Sequence, residues 1–296
     1  MIDRQGRPGP GRNPGRGPVV VAIGLAALAL AAAASGCGAA GSPATAPATT
    51  ARPASHPAVS SPAASSPADP PAAVALPLTG KIIGLDPGHN GGNFTDPGAI
   101  AHLIWNGAEW EACDTTGTTT DGGYTEAQFT FNVARYLRAD LRRDGAQVVM
   151  TRTSNDGVGP CVDRRAEIIN DAHADVAVDI HADGGPVSGR GFTILEPVAD
   201  GPNDKVIAAS QRFGADVRQA MLAGTPMPVS DYYGVDGIEP RDDLAGLNLT
   251  TVPKVLVECG NMRNATDAGL LVTARFQQQL ASALTAAIVR FLDQRG

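Results

Sequence analysis

The chain has 296 residues, of which 43% are apolar, enough for one core of ordinary size beside some non-core sequence. It carries 23 basic and 30 acidic side chains, a formal net charge of −7, and Arg4, Arg7, Arg12 and Arg16 all lie near its start. That balance makes nucleic acid a poor partner, because phosphate contacts dominate such affinity, and it argues against any partner held by bulk positive charge.

In chain order, the basic start is followed by an apolar run from Val19 to Ala34 and then by Ser35-Gly36-Cys37. Basic, apolar and small-residue segments in that order predict a secretory signal over residues 1–36. The run is shorter than the roughly 20 residues of a membrane span, which argues against a permanent anchor. The Gly-Cys ending resembles a bacterial lipoprotein cleavage site, with lipidation expected at Cys37. Ala34 stands where such sites more often have Leu, so an ordinary cut after a nearby Ala is the alternative. Residues 37–79 are rich in Ala, Pro, Ser and Thr, lack periodicity and carry almost no charge, which predicts a tether without a core. Residues 80–296 are then one catalytic-sized domain.

Within that domain, strands are predicted at 81–85, 147–150, 176–180, 191–195 and 254–258. Helices are predicted from 125 to Gly145, where Phe129, Val133, Leu137 and Leu141 recur every fourth residue, and from 162 or 163 through about Ala172. Further helices are expected at 204–222 and 268–292. Residues 90–124 read as a long loop that could hold a hairpin and gate a site, and the segment with Tyr232, Tyr233 and Arg241 reads as a polar loop. Alternating strands and helices predict an α/β fold, a mostly parallel sheet covered on both faces. Export permits disulfides. Cys113 and Cys161 lie in segments with little regular structure to hold them and are expected to pair; two free cysteines are the alternative. Cys259 follows a strand and is expected to be a buried free thiol.

Three polar groups close apolar runs: His89 after Asp86-Pro87-Gly88, His181 within Asp179-Ile180-His181, and Glu258 after 254–257. Strand ends are where α/β sheets gather polar chemistry, and two imidazoles point to zinc. Simpler readings stand beside this one. His89 would suit a turn, His181 a satisfied core, and Glu258 a salt bridge, for instance to Arg165. Asp179 and His181 share one face of their strand. His56, His102 and His173 are weaker candidates. Glu126 opens a helix, where its charge favours the dipole, and Glu109 and Glu111 are its rivals as a third ligand.

Together these residues resemble the zinc-dependent N-acetylmuramoyl-L-alanine amidases of bacterial cell walls. The likeness rests on 83–89 (Ile-Gly-Leu-Asp-Pro-Gly-His), Gly123-Tyr124-Thr125-Glu126, 178–183 (Val-Asp-Ile-His-Ala-Asp) and 257–262 (Val-Glu-Cys-Gly-Asn-Met). Thr151-Arg152 and the Arg165 to Asn170 spacing add to it. The Cys161 loop and the stretch 244–249 resemble the form found in mycobacteria and their relatives. The resemblance implies an α/β sandwich around a six-stranded sheet, with His89, Glu126 and His181 as Zn2+ ligands and Glu258 as the catalytic carboxylate. It implies cleavage of the amide between N-acetylmuramic acid and L-Ala, in peptidoglycan or its muropeptide fragments; a monomer at the cell envelope is expected. Any membrane attachment would run through the N-terminal lipid alone. Arg241 and Asn261 are expected to line the substrate groove. Asp179 departs from the family, where Ser is frequent, and so does Cys259-Gly260-Asn261-Met262, where an aromatic residue commonly follows the glutamate. A zinc peptidase acting elsewhere on the stem peptide, or an inactive wall-binding lipoprotein, is the alternative.

Overall fold

The computed structural model describes residues 75–294. The expected signal over 1–36, the lipid site at Cys37 and nearly all of the tether at 37–79 lie outside the described residues. Leu78 does not behave as tether: it is buried, and its N–H donates to the Asp144 carbonyl at 2.9 Å.

The elements run β1 (Ile82–Pro87), α1 (Pro97–Ile100), β2 (Leu103–Trp105), β3 (Trp110–Ala112), α2 (Glu126–Arg143), β4 (Gln147–Met150), α3 (Val162–Asp171) and β5 (Val176–Asp183). They continue with β6 (Thr193–Pro197), α4 (Ile207–Gly224), β7 (Ile238–Arg241), α5 (Ala245–Asn248), β8 (Lys254–Asn261), α6 (Ala265–Leu271) and α7 (Ala274–Asp293). Six strands form one sheet in the order β4-β1-β5-β8-β6-β7. The first four are mutually parallel; β6 runs antiparallel to β8, and β7 is parallel to β6. The expected hairpin within 90–124 is the separate β2–β3 pair.

Strand alternation divides the sheet into two faces. Ile83, Leu85, Val176, Val178, Ile180, Val255, Val257 and Cys259 join Phe129, Val133, Leu137, Phe276, Leu280 and Leu284 in the main core, under α2, α4 and α7. The opposite face, under α3 and α5, is divided between small apolar clusters around Ile169 and Leu247 and a polar layer at Asp86, Asp179 and Lys254. Both faces are covered, so the strands read as nearly continuous apolar runs. Helix α2 begins where Thr125 Oγ1 accepts from the Gln128 N–H at 3.2 Å, and Gly145 just past its end has φ +97°.

Three expectations are corrected. The terminal helix is two helices, because Thr273 leaves helical geometry and its hydroxyl caps α7 by accepting from the Phe276 N–H. The polar loop around Arg241 contains strand β7, whose Pro240 is tolerated because β7 is an edge strand. The polar loop expected to lead on to β8 also contains the short helix α5 (Ala245–Asn248).

Candidate metal centre

Strands β1, β5 and β8 end side by side, and their carboxyl edge carries the chemistry. His89 lies two residues past β1, His181 lies on β5, and Glu258 pairs with His181 in register on β8. Glu126, the first residue of α2, reaches the same edge. Glu126 Oε2 is 3.2 Å from His89 Nε2, and Glu126 Oε1 is 2.9 Å from His181 Nδ1. Backbone amides hold the carboxylate in place: Thr118 N–H donates to Oε2 at 2.9 Å and Ala182 N–H to Oε1 at 3.1 Å. The imidazole rings meet edge-on, with centroids 4.9 Å apart.

Glycine makes this crowding possible. A Cβ on Gly88 would lie 2.2 Å from His181 Cε1, and one on Gly117 would lie 2.7 Å from His89 Cδ2. Gly117 also has φ +69°, in the left-handed region open to glycine. The carbonyls of the turn are held by two arginines. Arg152 donates to the Pro87 and Gly88 carbonyls, at 2.8 and 3.2 Å, and Arg165 donates to those of Pro87 and His89, at 2.8 and 2.9 Å. Arg165 does not pair with Glu258; its ion pairs are with Asp86 and Asp114.

The electrostatics follow from this packing. Burial alone would push the His89 pKa down, but Glu126 and Asp114 outweigh it and hold it up at about 9. His181 is likewise held well above its ordinary value against burial, by Asp179 and Glu126. Burial would raise Glu126, yet the two imidazoles hold it well below the usual carboxylate range. Glu258 is pushed up to about 8, first by burial and then by the carboxylates of Glu126 and Asp183 against the pull of the histidines.

Two imidazole nitrogens and a carboxylate, with ligand atoms all within 4.8 Å of one another, are a donor set that suits zinc and leaves a fourth position open. Glu258 Oε2 is enclosed without a hydrogen-bond partner, on the strand position that pairs with His181. A second grouping, His102 with Cys113 and Cys161, offers no such site, because those two cysteines form a disulfide. Of the rival glutamates, Glu109 is exposed, and Glu111 accepts from the Ala245 N–H at 3.2 Å. Arg241 is engaged by Asp243 at 2.6 Å and by the Tyr233 hydroxyl. Asn261 is buried; its amide donates to the Pro186 and Gly189 carbonyls at 2.7 and 2.8 Å, so its side chain braces that loop and is not at the groove surface. Cys259 is a buried free thiol in the main core, on the face away from Glu258. Sequence reasoning did not single out Asp114 or Lys254; their spacing along the chain carries no motif, although a lysine opening an apolar strand is itself a signal for a buried partner.

Residues 83–290 match the family model described as N-acetylmuramoyl-L-alanine amidase. The N-acetylmuramoyl-L-alanine amidase of Mycobacterium tuberculosis is 36% identical over 225 residues, which cover 76% of this chain and 92% of the relative. Among solved structures, the N-acetylmuramyl-L-alanine amidase of Mycobacterium smegmatis superposes with a TM-score of 0.69 at 38% identity, covering 73% of this chain and 99% of that one. The apo form of the Mycobacterium abscessus enzyme gives a TM-score of 0.68 at 40% identity, covering 73% of this chain and 100% of that one.

Proposed function

The chain belongs to the N-acetylmuramoyl-L-alanine amidase family, and we propose that it hydrolyses the amide joining N-acetylmuramic acid to the L-Ala of the stem peptide in peptidoglycan. His89, Glu126 and His181 hold the zinc ion, and Glu258 moves the proton. The observation that carries this reading is the convergence of those four groups on one sheet edge, with Glu258 Oε2 enclosed and unpartnered.

When bound, zinc supplies Lewis acidity toward the attacking water and the amide carbonyl. Glu258 accepts a proton from the water as it attacks, and then delivers that proton to the departing L-Ala nitrogen. Without a cation, burial and then the neighbouring carboxylates push the Glu258 pKa up to about 8; a cation held by the three ligands would lower it, freeing the carboxylate to take the water's proton first. Neither a serine nor a cysteine nucleophile is needed, and Cys259 points into the core. Arg241, on the edge strand beside Tyr233, is assigned to the peptide groove.

On the same reading, residues 1–36 direct export, Cys37 carries the lipid, residues 37–74 hold the domain away from the membrane, and the enzyme acts as a monomer at the cell envelope. Among the described residues no helix is long and apolar enough to cross a membrane.

Mass analysis of peptidoglycan digested by the purified, zinc-supplemented protein tests the proposal. Stem peptides with a free L-Ala amino terminus, together with peptide-free glycan, are expected. Release of single amino acids from intact muropeptides would instead assign a carboxypeptidase, and no product would refute the activity.

A further inference from the structure

The two histidines are gripped from behind as well as in front. His89 turns Nε2 toward Glu126, while its Nδ1 lies 3.2 Å from both Asp114 Oδ1 and the Thr115 carbonyl. His181 turns Nδ1 toward Glu126, while its Nε2 lies 3.3 Å from Asp179 Oδ1, an ion-pair contact, with that buried oxygen otherwise lacking a hydrogen-bond partner. Both aspartates are buried, each 6% exposed, and neither stands alone. Arg165 donates through Nη2 to Asp114 Oδ2 and through Nη1 to Asp86 Oδ1, both at 3.2 Å. Lys254 Nζ donates to Asp86 Oδ2 at 2.8 Å and lies 3.3 Å from Asp179 Oδ2. A continuous train of alternating charge therefore runs from His89 through Asp114, Arg165, Asp86, Lys254 and Asp179 to His181.

Such a train is a poor device for stability alone. Each buried ion carries a desolvation penalty, and apolar side chains of similar volume commonly do as well or better. What the train does supply is direction. A ligating histidine that gives its second N–H to a carboxylate has its tautomer and ring rotation fixed and its basicity raised. The train also ends on the two imidazoles and on no other titratable ligand of the centre, since Glu126 is held by backbone amides instead.

We infer that Asp114 and Asp179 are positioning residues that orient His89 and His181, and that Arg165, Asp86 and Lys254 link them so that the two rings are set together. The inference rests on the metal reading proposed above. It gives the buried Asp179 a purpose: it supplies the carboxylate behind His181 and one partner of the buried Lys254.

The test is zinc affinity, measured by chelator competition on the purified wild-type protein, Asp114→Asn and Asp179→Asn, with circular dichroism and thermal unfolding as a check on folding. Each folded variant is expected to bind zinc roughly 10- to 100-fold more weakly. Nitrogen-15 NMR of the zinc-loaded wild type is expected to place the remaining proton on His89 Nδ1 and on His181 Nε2; this readout stands even if a variant does not fold. Affinities within twofold of wild type in both folded variants, or protons on the opposite ring nitrogens, would overturn the inference while leaving the metal site intact. A wild-type protein that binds no zinc would overturn the metal reading and the inference with it.

Discussion

His89 has a φ of +57°, a left-handed backbone for a residue with a Cβ. Such conformations cost of order 1–3 kcal/mol and persist only where the surroundings over-determine them. Here Arg152 and Arg165 clamp the carbonyls on either side, so the imidazole is delivered to one place at the strand end. Glu258 is the residue on which turnover depends. Glu258→Gln removes the proton carrier but none of the three ligands, so it is expected to retain zinc and lose roughly 10²- to 10⁴-fold in kcat; steady-state kinetics with metal analysis checks this, and full activity would remove Glu258 from the mechanism. The histidines make metal binding pH-dependent. The His89 pKa is raised from 6.5 to about 9 in the metal-free site, so the stability its proton contributes is fully present below pH 6.5 and is lost as pH rises through about 9. Zinc competes with that proton. Its apparent affinity should therefore climb by roughly tenfold or more per pH unit across that window and level off above it. Chelator competition over a pH series reads the slope, and a flat profile would contradict the assignment of His89.

Among the elements, the junction of the 113–118 loop with α3 matters most. The disulfide joins Cys113, next to Asp114, to Cys161, the residue that precedes α3, and Arg165 lies one turn inside that helix. The cross-link thus ties the carboxylate behind His89 to the arginine that holds it. Replacing both cysteines with serine releases a 48-residue separation and is expected to cost about 2–5 kcal/mol of stability, and to weaken zinc binding as Asp114 loosens. Urea unfolding and chelator competition on one preparation check both effects; lost stability with unchanged zinc affinity would confine the disulfide to folding. Much at this scale was readable beforehand. The four-residue recurrence of Phe129 to Leu141 marked α2, and the apolar runs before His89, His181 and Glu258 marked three neighbouring strands. What stayed hidden depended on contacts. The hydroxyl of Thr273 becomes a cap only once the chain turns there, and Pro240 fits a strand only because β7 is at the edge. Glu126 could not be separated from Glu109 and Glu111 by residue chemistry, since the distinction lies in which of them the fold carries to the two imidazoles.

For the molecule as a whole, the sheet works as a sorting device. One face builds an apolar core under α2, α4 and α7, and the other keeps the charges that brace the site. Four contacts of that brace join residues 25, 51, 79 and 168 apart, which no local pattern announces; only Asp179, two residues before His181 on the same strand face, was legible beforehand. The strand ends they brace were legible only in combination: each of His89, His181 and Glu258 has a structural use by itself, and three such groups closing separate apolar runs are what pointed to a shared centre. The central claim is that two imidazoles and one carboxylate, from three separate elements, hold a zinc ion. X-ray absorption at the zinc edge of the loaded protein tests it most directly. The account predicts one zinc per chain, with two imidazole nitrogens and carboxylate oxygen in its first shell at about 2.0–2.2 Å. A first shell containing sulfur near 2.3 Å, or one without imidazole scattering, would contradict it.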